Sequence, residues 1–262
     1  LHVAHLDHRF RGRESADEAL FVEKTAKKMG VPATIEQFDV KAFCRERGLS
    51  AQAGAREVRY DFLNRVAEKV GASRIAIGHT ASDQAETLIM RLVRGAGTSG
   101  LSAIPPVREN IIRPLIEVTR EEVLEYLSRN RLDFVTDPSN AKPLYTRNRV
   151  RLDIMPVLRA FNPKIVETLA TEAAILRDEN EAIEAYLATV SPGVVLREKD
   201  GVRLKRDEFN ALLPALQRRI LRMAVGAVGE NLKELSFSQI EDAIRFMSGA
   251  QTGRAMNIHV GL

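Results

Sequence analysis

The chain has 262 residues, enough for one large domain or two modest ones and for a real buried core. Hydrophobic residues make up 45% and charged residues 28%, which argues against wholesale disorder, and no run of eighteen apolar residues offers a membrane span. The single cysteine, Cys44, excludes an internal disulfide framework and any cysteine-cluster zinc or iron–sulfur site, while a net charge of +4 permits a nucleic-acid partner without establishing one.

Leu1–Leu6 reads as a strand. The chain starts inside this run without Met, as a piece of a longer protein would. No basic region precedes an apolar stretch, so the start is not a signal peptide and the expected compartment is the cytoplasm. Ser15 and Glu18 form a capping-box pattern that predicts a helix from there to Met29, with Gly30 as its stop. Ala33–Phe38 reads as a strand. Ser50 is placed to cap a helix through Val70, ended by Gly71. Arg74–Gly78 reads as a buried strand, and Thr80 with Asp83 starts a helix to about Val93. Ile111–Leu115 is a short strand that Pro114 confines to an edge or an end, and Thr119 with Glu122 opens another helix. Strands alternating with helices predict an α/β fold, a parallel sheet with helices on both faces.

The second half changes character. Asn162-Pro163 starts a helix to about Thr189, Asp200-Gly201 marks a hairpin within Val194–Leu204, and helices follow at Pro214–Val228 and Ser236–Met247. The boundary falls near Met155-Pro156, giving an α/β domain over 1–155 and a mainly α-helical domain over 156–262.

Four constellations could carry chemistry. Gly78 to Thr87 (GHTASDQAET) follows a strand and enters a helix, where ligands of open α/β sheets bind and free N–H groups suit a phosphate. Asp83 and Glu86, three apart, share a helix face and could hold an amine or magnesium, or simply offset the helix dipole. His5-Leu6-Asp7-His8 leaves the first strand. It lacks a His-x-x-x-His spacing, so packing beside a nucleotide is favoured over zinc. Arg56 and Arg59 could face one anion or form a solvated face. Lys142, Arg147, Arg149 and Arg151 form a basic stretch suited to a phosphate backbone or to linking two domains. Gly95–Gly100 satisfies G-x-G-x-x-G but follows a helix, so it reads as a flexible loop and not as a dinucleotide fingerprint.

HLDHRFRGRES (5–15), SAQAGAREVRY (50–60), GHTASDQAETLIMRLVRGAG (78–97), IIRPL (111–115) and DPSN with YTRNRVR (137–151) together resemble the tRNA(Ile)-lysidine synthases, of the N-type ATP pyrophosphatase group. The resemblance implies an adenine nucleotide alpha hydrolase-like fold and a ligase that joins lysine to C2 of the wobble cytidine of CAU-anticodon tRNA(Ile). ATP would adenylate the cytidine O2 and release pyrophosphate, and the lysine amine would then displace AMP. It implies ATP as co-substrate with Mg2+, tRNA(Ile) and L-lysine as partners, no membrane, and it admits a homodimer. Asp83 and Glu86 would hold the lysine and serve catalysis. His5, Asp7, Arg56, His79 and Thr80 would border ATP. Lys142, Arg147, Arg149 and Arg151 would face tRNA or stabilise the domain junction. No protein ligand is assigned to a metal. The family's phosphate loop, Ser-Gly-Gly-x-Asp-Ser, and the strand before it would precede residue 1. Two alternatives stay open: a non-catalytic tRNA-binding fragment, and another tRNA-modifying ATP pyrophosphatase such as a thiolase.

Overall fold

The computed structural model describes residues 1–10, 12–136, 146–199, 201–229, 235–249 and 256. They form two compact units, Leu1–Arg177 and Asp178–Leu262.

The first unit alternates strand and helix. β1 (Val3–Asp7) pairs in parallel with β2 (Ala33–Gln37) across α1 (Arg13–Lys28). α1 does not start at Ser15. Gly12, at φ 57, takes a conformation that suits glycine, and its carbonyl accepts from Ala16 N at 3.3 Å, so Ser15 lies buried inside the first turn. α2 (Val40–Arg47) has no counterpart in the expected elements. Asp39 caps it by accepting from Ala42 N at 3.0 Å, and Gly48 ends it in the left-handed region. α3 (Ala51–Val70) runs between Ser50 and Gly71 as expected.

β3 (Ile75–Ala76) leads to α4 (Ala81–Arg94). α5 (Thr98–Leu101) occupies the stretch expected to be a flexible loop. Arg91 pins that turn by donating to the carbonyls of Gly100 and Ala103. β4 (Val107–Arg108) and β5 (Ile111–Ile112) follow. β3 and β5 pair in parallel, but β4 turns straight back onto β5 and is antiparallel, a departure from an all-parallel sheet. β5 stops two residues before Pro114. α6 (Arg120–Arg129) starts at a reciprocal Thr119–Glu122 box.

α7 (Thr146–Arg149) passes through a π-helical stretch, Val150–Ile154, into α8 (Met155–Phe161), and then comes α9 (Ile165–Val194). The compact units divide inside α9, between Arg177 and Asp178. The start of α9 packs on the α/β layer: Val166 clusters with Ala81, Ala85 and Ile89, and Ala173 with Leu88 and Ala103. In the second unit, β6 (Val195–Glu198) and β7 (Gly201–Leu204) form an antiparallel hairpin. α10 (Arg206–Asn210), α11 (Pro214–Ala227) and α12 (Phe237–Gly249) complete it, around a core centred on Phe209, Ile220 and Ile240. Among the described residues, no helix is long and apolar enough to cross a membrane.

Where α2 meets α3, Gly54 permits a close approach: a Cβ there would collide with the buried Cys44 Sγ. Helix propensity alone favours alanine over glycine by about 1 kcal/mol. Gly54→Ala should nevertheless destabilise the fold by about 1–2 kcal/mol through overpacking, read by urea denaturation. In a Cys44→Ala background the same change should become neutral or stabilising. A gain from Gly54→Ala with Cys44 in place would show that the helices can part freely.

Candidate active site

β1 and β3 lie in separate sheets, and both pack against α3. Beyond β1, His8 Nε2 lies 3.3 Å from Arg59 Nη2. Beyond β3, burial lowers the His79 pKa first, with smaller lowering influences from Arg113, Arg147 and Arg56 against that of Asp83. Arg56 and Arg59 are one turn apart on α3 and share one helix face. Arg56 also stacks over Tyr60, its guanidinium carbon 4.8 Å from the ring centre. Burial first, and then Arg59, push His8 down to about 4, so it is neutral at pH 7.

His5 and Asp7 sit two apart and therefore share a strand face, opposite that of Leu6, which packs against Val40, Cys44, Ala55 and Val58. His5 is lowered by burial, against the raising influence of Asp7 and of Glu18 on α1. Asp7 is buried, and its Oδ1 accepts from Arg9 N at 2.7 Å, which holds Arg9 in the left-handed region at φ 55. Neither residue is brought into contact with His79 or Asp83. A cavity of about 470 Å³ opens beside Arg9 and Phe10 against α2. None of the site residues expected from sequence lines it.

α4 begins at the heart of the cluster. Asp83 Oδ2 accepts from Thr80 N at 2.9 Å and from Thr80 Oγ1 at 3.0 Å, and Asp83 N donates back to Thr80 Oγ1 at 3.4 Å. That reciprocal box fixes the first turn, and Asp83 Oδ1 takes no protein hydrogen bond among the described residues. One turn on, Glu86 is only 3% exposed. Its oxygens accept from Arg151 Nε at 2.6 Å and Nη2 at 3.1 Å, a bidentate charged pair. Arg147 Nε lies 3.6 Å from the same carboxylate while its Nη2 donates to Thr87 Oγ1 at 2.9 Å. Hydrogen bonding to Glu86 raises the Arg151 pKa further. Arg147 and Arg151 thus face α4, whereas Arg149 is 71% exposed and, among the described residues, meets only Asp153, at 3.7 Å. Lys142 lies outside the described residues.

Two residues absent from the expected site belong to its frame. His8 orients Arg59. Arg113, just past β5, is 4% exposed and donates from Nε to His79 Nδ1 at 3.1 Å. In sequence Arg113 stood only as part of the IIRPL segment, with no role assigned to it. Among the described residues, no three His, Cys, Asp or Glu side chains gather as a metal site.

Residues 1–158 match the PP-loop domain family, and residues 204–261 match a TilS substrate binding domain. The chain is 33% identical to the tRNA(Ile)-lysidine synthase of Clostridioides difficile strain 630, over 98% of this chain and 56% of that protein. It is 33% identical to the one from Bacillus subtilis strain 168, over 96% of this chain and 54% of that protein. The chain thus spans about half the length of the curated relatives it matches. Among solved structures it resembles the U34-tRNA thiolase NcsA from Methanococcus maripaludis with its [4Fe-4S] cluster. That likeness has a TM-score of 0.52 at 20% identity, covering 68% of this chain and 61% of that one, and it concerns the fold.

Proposed function

The chain belongs to the PP-loop family, and from that premise we propose that it carries most of the catalytic apparatus of a tRNA(Ile)-lysidine synthase. The observation that carries this reading is the start of α4, where the Thr80–Asp83 box directly follows the carboxyl end of β3, a strand paired in parallel with β5, and His79 stands just before it. That is where an open α/β sheet binds its ligands.

The reaction runs in two balanced steps. The cytidine O2 attacks the α-phosphorus of ATP and pyrophosphate leaves. The ε-amine of lysine then attacks C2, the C2–O2 bond breaks, and AMP departs with that oxygen. A free amine is needed for attack, so a carboxylate at the site has work to do. Asp83 Oδ1 is the proposed group that orients the amine and accepts its proton. Glu86, one turn on and paired with Arg151, is proposed as the second carboxylate of the lysine site. His79, Thr80 and Arg56 border the nucleotide, with His5 and Asp7 at its edge. Residues 1–155 form the proposed catalytic domain and 156–262 the tRNA-binding domain. Magnesium is proposed only as the companion of the ATP phosphates, and no step is assigned to it. A thiolase reading is disfavoured by a lone, buried Cys44, too few thiolates for a cluster.

Incubating the whole protein with a CAU-anticodon tRNA(Ile), ATP and L-lysine should release AMP and pyrophosphate. Nucleoside mass spectrometry should find a cytidine that has gained lysine with loss of water. Adenylation of the tRNA with no lysine incorporation would sink the ligase reading.

A further inference from the structure

We propose that Arg113 is a positioning residue that fixes the tautomer of His79, so that the imidazole presents Nε2–H to an anionic oxygen of the bound nucleotide. The proposal rests on the reading of His79 as a neighbour of that nucleotide.

A guanidinium only donates and does not lose its proton at working pH. Arg113 Nε lies 3.1 Å from His79 Nδ1, so Nδ1 must be the acceptor: a proton there would set N–H against N–H. A neutral ring with an unprotonated Nδ1 carries its proton on Nε2. Nε2 has no protein partner among the described residues, and His79 is half-buried at the mouth of the site.

The ring is also kept neutral. Burial lowers its pKa first. Of the charged groups facing it, Asp83 on α4 opposes this, while Arg113 beyond β5, Arg147 on α7 and Arg56 on α3 reinforce it. The donor is therefore a neutral N–H in a positive surrounding.

Arg113 itself is held firmly. Its Nη1 donates to Pro105 O at 2.6 Å, and its own N–H donates to Pro106 O at 2.9 Å. That turn is braced by Gln84, which exchanges two 2.7 Å hydrogen bonds with Ile104. Among the described residues no carboxylate pairs with this buried guanidinium. A buried cation without a counter-ion is costly, and an anionic ligand oxygen beside His79 would offset that cost. This favours a phosphate oxygen as the acceptor of Nε2–H.

Long-range 1H–15N correlation spectra of the whole protein, labelled at histidine, read the tautomer directly. His79→Gln identifies the His79 signals. The wild type should show Nε2 protonated and Nδ1 unprotonated at neutral pH. Arg113→Lys retains a cationic donor and should keep the pattern. Arg113→Met should give mixed tautomers, a raised His79 pKa and a KM for ATP about tenfold higher. Added ATP should shift the Nε2 proton resonance. A wild-type His79 protonated on Nδ1 overturns the proposal, and so does a tautomer unchanged in Arg113→Met. If that variant does not fold, the wild-type and Arg113→Lys spectra decide alone. If the tautomer follows Arg113 but ATP moves no His79 signal, the nucleotide reading falls and the positioning role stands.

Discussion

Asp83→Asn in the whole protein should lower kcat/KM for lysine about 10- to 150-fold, the loss of one charged hydrogen bond worth about 1.5–3 kcal/mol. KM for ATP should hardly move. Asparagine keeps a side-chain oxygen that can accept from Thr80 N, where Asp83 Oδ2 accepts at 2.9 Å, so the start of α4 survives the change. What is lost is the charge that attracts an ammonium and the oxygen basic enough to take its proton. Glu86→Gln should impair lysine use as well, but with a folding cost that Asp83→Asn lacks. It leaves Arg151 and Arg147 facing a neutral amide in a site where the carboxylate is 3% exposed, and breaking such a pair costs about 3–5 kcal/mol. Thermal unfolding therefore separates the two variants before any kinetics are read. If both retain wild-type kcat/KM for lysine, the carboxylates of α4 do not hold the substrate amine.

The start of α4 was legible in the sequence because its chemistry is local. Thr80 and Asp83 satisfy each other's backbone within one turn, as do Thr119 and Glu122, and Ser50 with Gly71 bracket α3 for the same reason. Ser15 and Glu18 carry the same pattern and fail. Gly12, three residues upstream, offers a backbone conformation that starts the helix earlier, and pattern alone does not rank two competing starts. α2 was missed although Asp39 and Gly48 flank it, its eight residues being too few for a clear helical period. β5 was read as a short strand at Ile111, but β4 was beyond pattern reading, because two residues have no periodicity and its antiparallel direction is set by the chain reversal before β5. The site's long-range partners carried the least signal. Arg151 reaches Glu86 from 65 residues away and Arg113 reaches His79 from 34. An arginine in a basic stretch looks the same in sequence whether it faces RNA or a buried carboxylate.

That ambiguity makes the arginines of 147–151 the sharpest test of how this protein would hold RNA. Arg149 is exposed and, among the described residues, has only a 3.7 Å contact to Asp153 one turn away, an arrangement worth a few tenths of a kcal/mol. Arg149→Ala should leave the melting temperature nearly unchanged. If Arg149 contacts a phosphate, the variant should flatten the log K against log[salt] slope for tRNA by roughly 0.7–0.9. It should do so equally for cognate and non-cognate anticodons, because phosphate contacts position RNA without reading bases. Arg151→Ala should behave in the opposite way. Its guanidinium is 25% exposed and closes on Glu86 in a bidentate pair, so its loss strands a buried carboxylate at a cost of about 3 kcal/mol while the folded protein keeps its salt slope. Arg147 stands between these cases, since it is 38% exposed and is tied to both Thr87 and Glu86; a smaller stability loss together with a partial change in slope is expected. Salt titrations of tRNA binding beside thermal melts of the three variants resolve the two roles residue by residue. Three unchanged slopes would remove this stretch from the RNA interface and leave it as the clamp that holds α7 and the π-helical turn onto α4.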